Sequence, residues 1–311
     1  MTGPGAEYTP FSKTMNVVLK IEPVEGLHQH EHERVVRLAG LRAAEYLGRA
    51  GQDVEPDNIE VYETKPLLEQ VKEYPDLPKV VYVYMLQTQG LLHNTYVYGV
   101  DAKQIIPTFI YPTEVMDGAI VSGNCVSACD KNPTYIHQNN PVIHDLYERH
   151  GKDINFIGCV ITNENVTLSD KERSSNMTAK LVEFLGADGV IISEEGFGNP
   201  DTDLVMNCYK IEEKGIKTVL ITDEYAGRDG ASQSLADSTE KGDAVVSTGN
   251  ANEVIKLPPM KTVIGYPEIA NIIAGGTDGS LAEDGSITAE LQIIIGSTNE
   301  LGYGFLTAKG R

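Results

Sequence analysis

Five consecutive segments in the second half of the chain alternate between two periodicities, and that alternation limits the fold more than any other feature. Phe156–Ile161, Gly189–Ser193 and Lys217–Thr222 are short, apolar and rich in β-branched residues. Asp170–Leu185 and Asp203–Lys214 lie between them and have helical length. Ser169 is placed to cap the first helix, and Gly186 and Gly215 are placed to stop the two. Strand, helix and strand in this order imply right-handed crossovers and parallel neighbours. The expected class is therefore α/β, with a largely parallel sheet flanked by helices.

The first half is less regular. Val35, Val36, Leu38, Ala39, Ala43 and Leu47 recur at three-to-four spacing, which predicts a helix over Gln29–Gly48 with a buried stripe. Asn16–Ile21 and Ile59–Tyr62 read as strands, and Val80–Leu86 as an inner strand because it is β-branched and aromatic throughout. Thr95–Gly99, Ile105–Tyr111, Ala119–Val121, Ala244–Ser247 and Thr262–Ile264 are further strand-like pieces. Short helices are expected at Leu67–Tyr74 and Val142–His150. Met1–Thr14 reads as an extended arm and Asn271–Gly279 as a glycine-rich surface loop. Two lobes are expected, residues 1–124 and residues 125–311.

The formal net charge of −20 argues against a nucleic-acid or anionic-membrane partner, because phosphates would be repelled. No apolar run reaches the length of a membrane span, and Met1–Pro10 is polar and rich in Gly and Pro, unlike a signal peptide. A cytoplasmic protein is expected, with its four cysteines reduced. No strand–turn–helix carries a dinucleotide fingerprint or a Walker-type loop, so no nucleotide is expected.

Asp117–Tyr135 reads DGAIVSGNCVSACDKNPTY. A strand-like run ends in Gly123 and Asn124, both suited to a tight turn, and Cys125 follows. A thiol after such a turn is positioned to attack the Asn124–Cys125 peptide bond. An N-to-S acyl shift, sulfur elimination and hydrolysis would leave a pyruvoyl group on the new C-terminal chain. Taken alone, an Asn-Cys pair is usually an ordinary structural feature. Cys125 and Cys129 form C-x-x-x-C and not the C-x-x-C of dithiol redox sites. Cys159 and Cys208 lie in apolar contexts that suit buried small residues.

Ligands of open parallel sheets sit beyond the carboxyl ends of strands. Two other polar loops fall at such positions. The first offers Glu194, Glu195, Asp201 and Asp203 for a substrate ammonium or a proton, the alternative being a solvated turn before a helix. The second offers Arg228 for a substrate carboxylate, and Arg173 is the other candidate; a surface ion pair is the favoured reading of each. His28, His30 and His32 place two imidazoles on one helix face, but no third distant ligand is indicated, so a hydrated face is expected and no metal.

Long motifs resemble one family. They are GPGAEYTPFSKT at 3–14, ETKPLLEQVKEYPDLPKV at 63–80, YMLQTQGLLHNTYVYGVDAK at 84–103 and YPTEVMDGAIVSGNCVSACDKNPTY at 111–135. KERSSNMTAKL at 171–181, EEGFGNPDTDL at 194–204 and TDEYAGRDGASQSLAD at 222–237 continue the series. The chain resembles the alpha/beta proprotein of component B of glycine, sarcosine and betaine reductases. The resemblance implies cleavage between Asn124 and Cys125, with Cys125 becoming the pyruvoyl group. It also implies a Schiff base with the substrate amine, followed by transfer of a carboxymethyl group to a carrier selenoprotein (component A). Further implied partners are a selenoprotein subunit of component B and the acetyl-phosphate-forming component C. A quaternary amine such as betaine cannot form an imine, so for that substrate the group would need another role. Family proproteins extend further on the N-terminal side, so the chain is expected to be a shortened form or a shorter relative. Two other readings remain open: an unprocessed structural or binding subunit, and a thiol redox protein using Cys125 and Cys129.

Overall fold

The computed structural model describes residues 3–90, 92, 94–123, 131–262, 264 and 275–298. The expectations for Asn124, Cys125 and Cys129, and part of those for Thr262–Ile264 and Asn271–Gly279, lie outside the described residues. In chain order the helices are α1 (Gln29–Gly48), α2 (Leu67–Glu73), α3 (Pro112–Met116), α4 (Thr134–Gln138), α5 (Pro141–Arg149), α6 (Leu168–Phe184) and α7 (Asn199–Glu212). The strands are β1 (Lys79–Leu86), β2 (Thr95–Val97), β3 (Val100–Asp101), β4 (Thr108–Ile110), β5 (Ile120–Ser122) and β6 (Asn155–Asn163). They continue with β7 (Gly189–Ser193), β8 (Lys217–Glu224), β9 (Val245–Asn250), β10 (Val254–Leu257) and β11 (Ile287–Glu290).

The main sheet has the order β4-β6-β1-β7-β8-β9. All its pairings are parallel except β4 with β6. This is the mixed, mostly parallel α/β sheet that the strand–helix alternation predicts. Alternation along β1 divides the core. Val81, Val83 and Met85 pack with Val182, Leu204 and Cys208 from α6 and α7. Tyr82, Tyr84 and Leu86 face the other way, onto Ile136 of α4 and Val142, Ile143 and Leu146 of α5. Each such side chain contributes roughly 1.5–3 kcal/mol by leaving water. Strands from either side of residue 124 alternate in this sheet: β6 lies between β4 and β1, and β1 lies between β6 and β7.

Local chemistry sets the helix starts. Thr167, not Ser169, caps α6 by accepting the Asp170 N–H. Helix α7 begins four residues before the expected Asp203. Gly198 turns the chain with φ of 79°, Pro200 suits the first turn, and the Asp201 carboxylate accepts the Gly198 N–H at 2.9 Å.

The N-terminal region departs from expectation. Helix α1 has the predicted limits, yet Glu33 is its buried residue while Val35, Leu38 and Leu47 are nearly half exposed. Asn16–Ile21 and Ile59–Tyr62 are not strands. Val17, Leu19, Ile59 and Val61 stand at least half exposed, without a ladder to satisfy the backbone. Val36, Ala43 and Leu47 of the α1 stripe instead line a cleft of about 640 Å³ shared with Val17, Leu19, Ser122, Gly123 and Tyr135.

Candidate functional site

A small antiparallel sheet, β3-β2-β5, brings the end of β5 beside the start of β2. Thr95 pairs with Ser122, so Asn94 and Gly123 are the next pair beyond the ladder. The Gly123 N–H donates to the Asn94 carbonyl at 2.8 Å. Lys131 donates its Nζ to the same oxygen. Both flanks of residues 124–130 therefore rest on one carbonyl. Gly123 also has no room for a side chain, since a Cβ there would lie 2.7 Å from that oxygen and 3.0 Å from Glu33 Oε1. Glu33 is held in turn by Arg37 at 3.1 Å, and the Arg37 guanidinium stacks over Tyr96.

The carboxyl ends of β1, β6 and β7 meet beneath this junction. Glu195, fully buried just after β7, accepts the Gln87 N–H at 2.6 Å through Oε2. Its Oε1 accepts the Asn132 N–H at 2.8 Å and the Asn132 side-chain amide at 3.1 Å. Glu164, the first residue after β6, accepts the Glu195 N–H at 2.8 Å. His137 of α4 is buried between Tyr84 and Glu195. Its Nδ1 is 2.5 Å from the Tyr84 hydroxyl, and its Nε2 is 3.7 Å from Glu195 Oε1. That Nε2 makes no hydrogen bond, and the same is true of Glu164 Oε2 and Glu194 Oε2.

Burial dominates the electrostatics. It raises Glu195, an effect opposed by the nearby Lys131 charge and the Gln87 and Asn132 donors. It also raises Glu164 and Glu194 well above the carboxylate range, and neighbouring acids add to the effect. Desolvation, then the Lys131 charge, lowers His137 to about 3, so its imidazole is neutral. Cys159 and Cys208 are buried free thiols raised by desolvation, which makes them poor nucleophiles.

The six binding candidates separate in space. Glu195 lies at the junction. Glu194 is buried alongside it but points to Thr222. Asp201 caps α7 and also accepts from the Ala236 N–H. Asp203 is buried against Lys171 and, despite that cation, is raised to about 6 by burial. Arg228 is half exposed and pairs with Glu290 at 2.7 Å. Arg173 pairs with Asp170 at 2.7 Å on the exposed side of α6. Lys131, Asn132, His137, Tyr84 and Glu164 were not singled out from the sequence. Glu164 had a usable signal, because it directly follows a parallel strand. His137 had none. His28, His30 and His32 lie exposed at the start of α1. Among the described residues no group of three or more His, Cys, Asp or Glu is arranged for a metal ion, and no helix is long and apolar enough to cross a membrane.

No solved structure matches the chain. Among sequences, it is 70% identical over 311 residues to the glycine reductase complex component B subunits alpha and beta of Acetoanaerobium sticklandii, a match covering 99% of this chain and 72% of that protein. It is 64% identical over 309 residues to the sarcosine reductase complex component B subunit alpha of Peptoclostridium acidaminophilum, covering 99% and 72%. The betaine reductase complex component B subunit alpha of the same organism is 39% identical over 322 residues, covering 99% and 73%. The family model for glycine/sarcosine/betaine reductase component B subunits matches residues 1–309. The carboxyl-end junction just described thus sits in a chain matched almost from end to end, and the chain belongs to the glycine/sarcosine/betaine reductase component B family, as a subunit of an oxidoreductase complex.

Proposed function

We propose that the chain is a precursor cut between Asn124 and Cys125, with Cys125 becoming a pyruvoyl group that receives glycine or an N-methylated derivative for reductive deamination. In this reading the carboxymethyl product passes to a carrier selenoprotein, component A. A selenoprotein subunit of component B and the acetyl-phosphate-forming component C complete the system, in the reducing cytoplasm. When formed, the pyruvoyl group supplies an electrophilic carbonyl for a primary or secondary amine.

The observation that carries the reading is the shared Asn94 carbonyl, which holds Gly123 and Lys131 on the two sides of residues 124–130. Such anchoring fixes the ends of the segment that has to react with itself. The surroundings fit an amine-accepting electrophile. Neutral His137 presents an unpartnered Nε2 able to exchange a proton, and Tyr84 orients the ring from Nδ1. Glu195 holds Asn132 through two donors and so fixes the chain just beyond the segment. The Ser193–Asp203 loop contributes Glu195 to this junction, with Glu194 buried behind it.

Intact-mass and N-terminal analysis of protein from its native cells tests the proposal. Two chains are expected, the second beginning at position 125 with a blocked amino end that reacts with phenylhydrazine. A single uncut chain, or a sequenceable cysteine at that end, overturns it.

A further inference from the structure

We propose that the chain pairs with a second copy of itself, each copy laying the outer face of helix α1 in a groove beside α5 of the other. The pairing is independent of the proposed precursor chemistry.

The strands of a parallel sheet are normally covered on both faces. Helices α6 and α7 cover one face of β7 and β8. The connection from β8 to β9 contains no helix, so the opposite face has no helical cover beyond α5. A groove of about 760 Å³ runs there between α5 and the sheet. Val80, Ile191 and Val219 form its floor, and Asp145, Leu146 and Glu148 of α5 form its wall. Val219 belongs to an interior strand, yet it is 36% exposed.

Helix α1 has the converse deficit. Its inner face, with Val36 and Ala43, lines the 640 Å³ cleft, and Glu33 is its buried residue. At 3.6 residues per turn, Val35, Leu38, Arg42 and Tyr46 fall within about a quarter of the circumference on the other side. Tyr46 is 75% exposed there, and Val35 and Leu38 nearly half. A helix with apolar side chains on opposite faces needs cover on both. In its own chain α1 is held by Glu33 beside Gly123 and by Arg37 over Tyr96, beyond the carboxyl end of β1. The groove lies at the other end, where β1, β7 and β8 begin. The outer face of α1 therefore meets a groove on another molecule. One helix and one groove per copy close a two-fold pair with neither left over.

Charge favours the same partner. At −20 per chain, two copies repel unless cations lie at the contact. Arg34 and Arg42 are exposed on α1 and have no acidic partner among the described residues, whereas Arg37 and Arg49 pair with Glu33 and Glu45. On the groove wall Asp145 and Glu148 are exposed and make no salt bridge, because the adjacent Arg149 is held by Asp153. Docking sets Val35, Leu38 and Tyr46 on the apolar floor and brings the two arginines to the two acids. Tyrosine and arginine are the residues that dominate such contacts.

Sedimentation equilibrium of the full chain over a dilution series tests the pairing. Wild type is expected at twice 33.9 kDa. Leu38→Asp on the helix and Val219→Asp in the groove should each weaken the pair by about tenfold or more, with circular dichroism unchanged. A mixture of these two variants should pair more tightly than either alone, because the sound helix of one fits the sound groove of the other. Arg42→Glu and Glu148→Arg should each weaken the pair, and the double variant should restore it. The charge exchange decides the question if Val219→Asp does not fold. A wild type that stays at 33.9 kDa across the series, whether or not another protein occupies the groove, overturns the proposal. So does a pair lost in Leu38→Asp but kept in Val219→Asp and Glu148→Arg, which would mean that α1 packs on α1.

Discussion

Glu195 and Asn132 are joined twice, through the Asn132 backbone N–H at 2.8 Å and its side-chain amide at 3.1 Å, both to one carboxylate oxygen. The other oxygen holds the Gln87 N–H at 2.6 Å. A single buried carboxylate thereby ties the end of β1 to the chain just beyond residues 124–130. Glu195→Gln places an NH2 group against donors that need an acceptor. It is expected to cost about 2–3 kcal/mol in urea unfolding. It should also slow the proposed cut at Cys125. Unchanged stability would mean that the two joints contribute nothing.

A cut at the proposed position should not separate the pieces. Strands β4 and β1 come before residue 124, β6 to β9 come after it, and β6 lies between β4 and β1. Parting the pieces would break three strand pairings, β4-β6, β6-β1 and β1-β7, and expose both core faces of β1. A protease site inserted within residues 124–130 of a Cys125→Ala chain gives a direct check. After cleavage, gel filtration should return one species, and two should appear in denaturant. Two native peaks would contradict the interleaving.

The contribution of the buried carboxylates to stability should fall as pH rises from acid toward neutrality. Burial raises Glu164, Glu194, Glu195 and Asp203 in the folded state, so the folded protein holds protons more tightly than the unfolded chain. Their stabilising protonation is complete below the unfolded carboxylate range. For Asp203 it is lost as pH rises from 3.8 through about 6, and for Glu164 and Glu194 the loss continues higher. Glu164→Gln keeps the shape and an acceptor for the Glu195 N–H without the ionisation. Its stability relative to wild type should increase with pH, by on the order of 1 kcal/mol or more near neutrality. Parallel stability–pH curves would show that Glu164 does not titrate as described.

The Cys125 series separates nucleophile from bystander. Cys125→Ala has neither a nucleophile nor a leaving group and should stay whole. Cys125→Ser has a weaker nucleophile and a poorer leaving group and should cut slowly. Cys129→Ala should cut nearly as wild type does. Substrate reduction in the reconstituted complex should follow the cut fraction. Wild-type turnover by Cys125→Ala is the outcome that sinks the assignment.

Periodicity and punctuation alone determined much of the framework. The limits of α1 and β7, the β6-α6-β7-α7-β8 alternation and the inner position of β1 were legible because each depends on neighbours close in sequence. The long motifs carried the family. Tertiary structure decided what covers each element. NVVLKI has strand composition, but a strand exists only where another edge completes its hydrogen bonds, and none does. The stripe of α1 has helical spacing, which records which residues share a face and says nothing of whether the core reaches that face. The junction was decided in the same way. Glu195 meets Gln87 and Asn132 across 108 and 63 residues of sequence, and His137 meets Tyr84 across 53. Those meetings follow from strand order, which places the ends of β1, β6 and β7 side by side, and strand order is set by packing of the whole sheet.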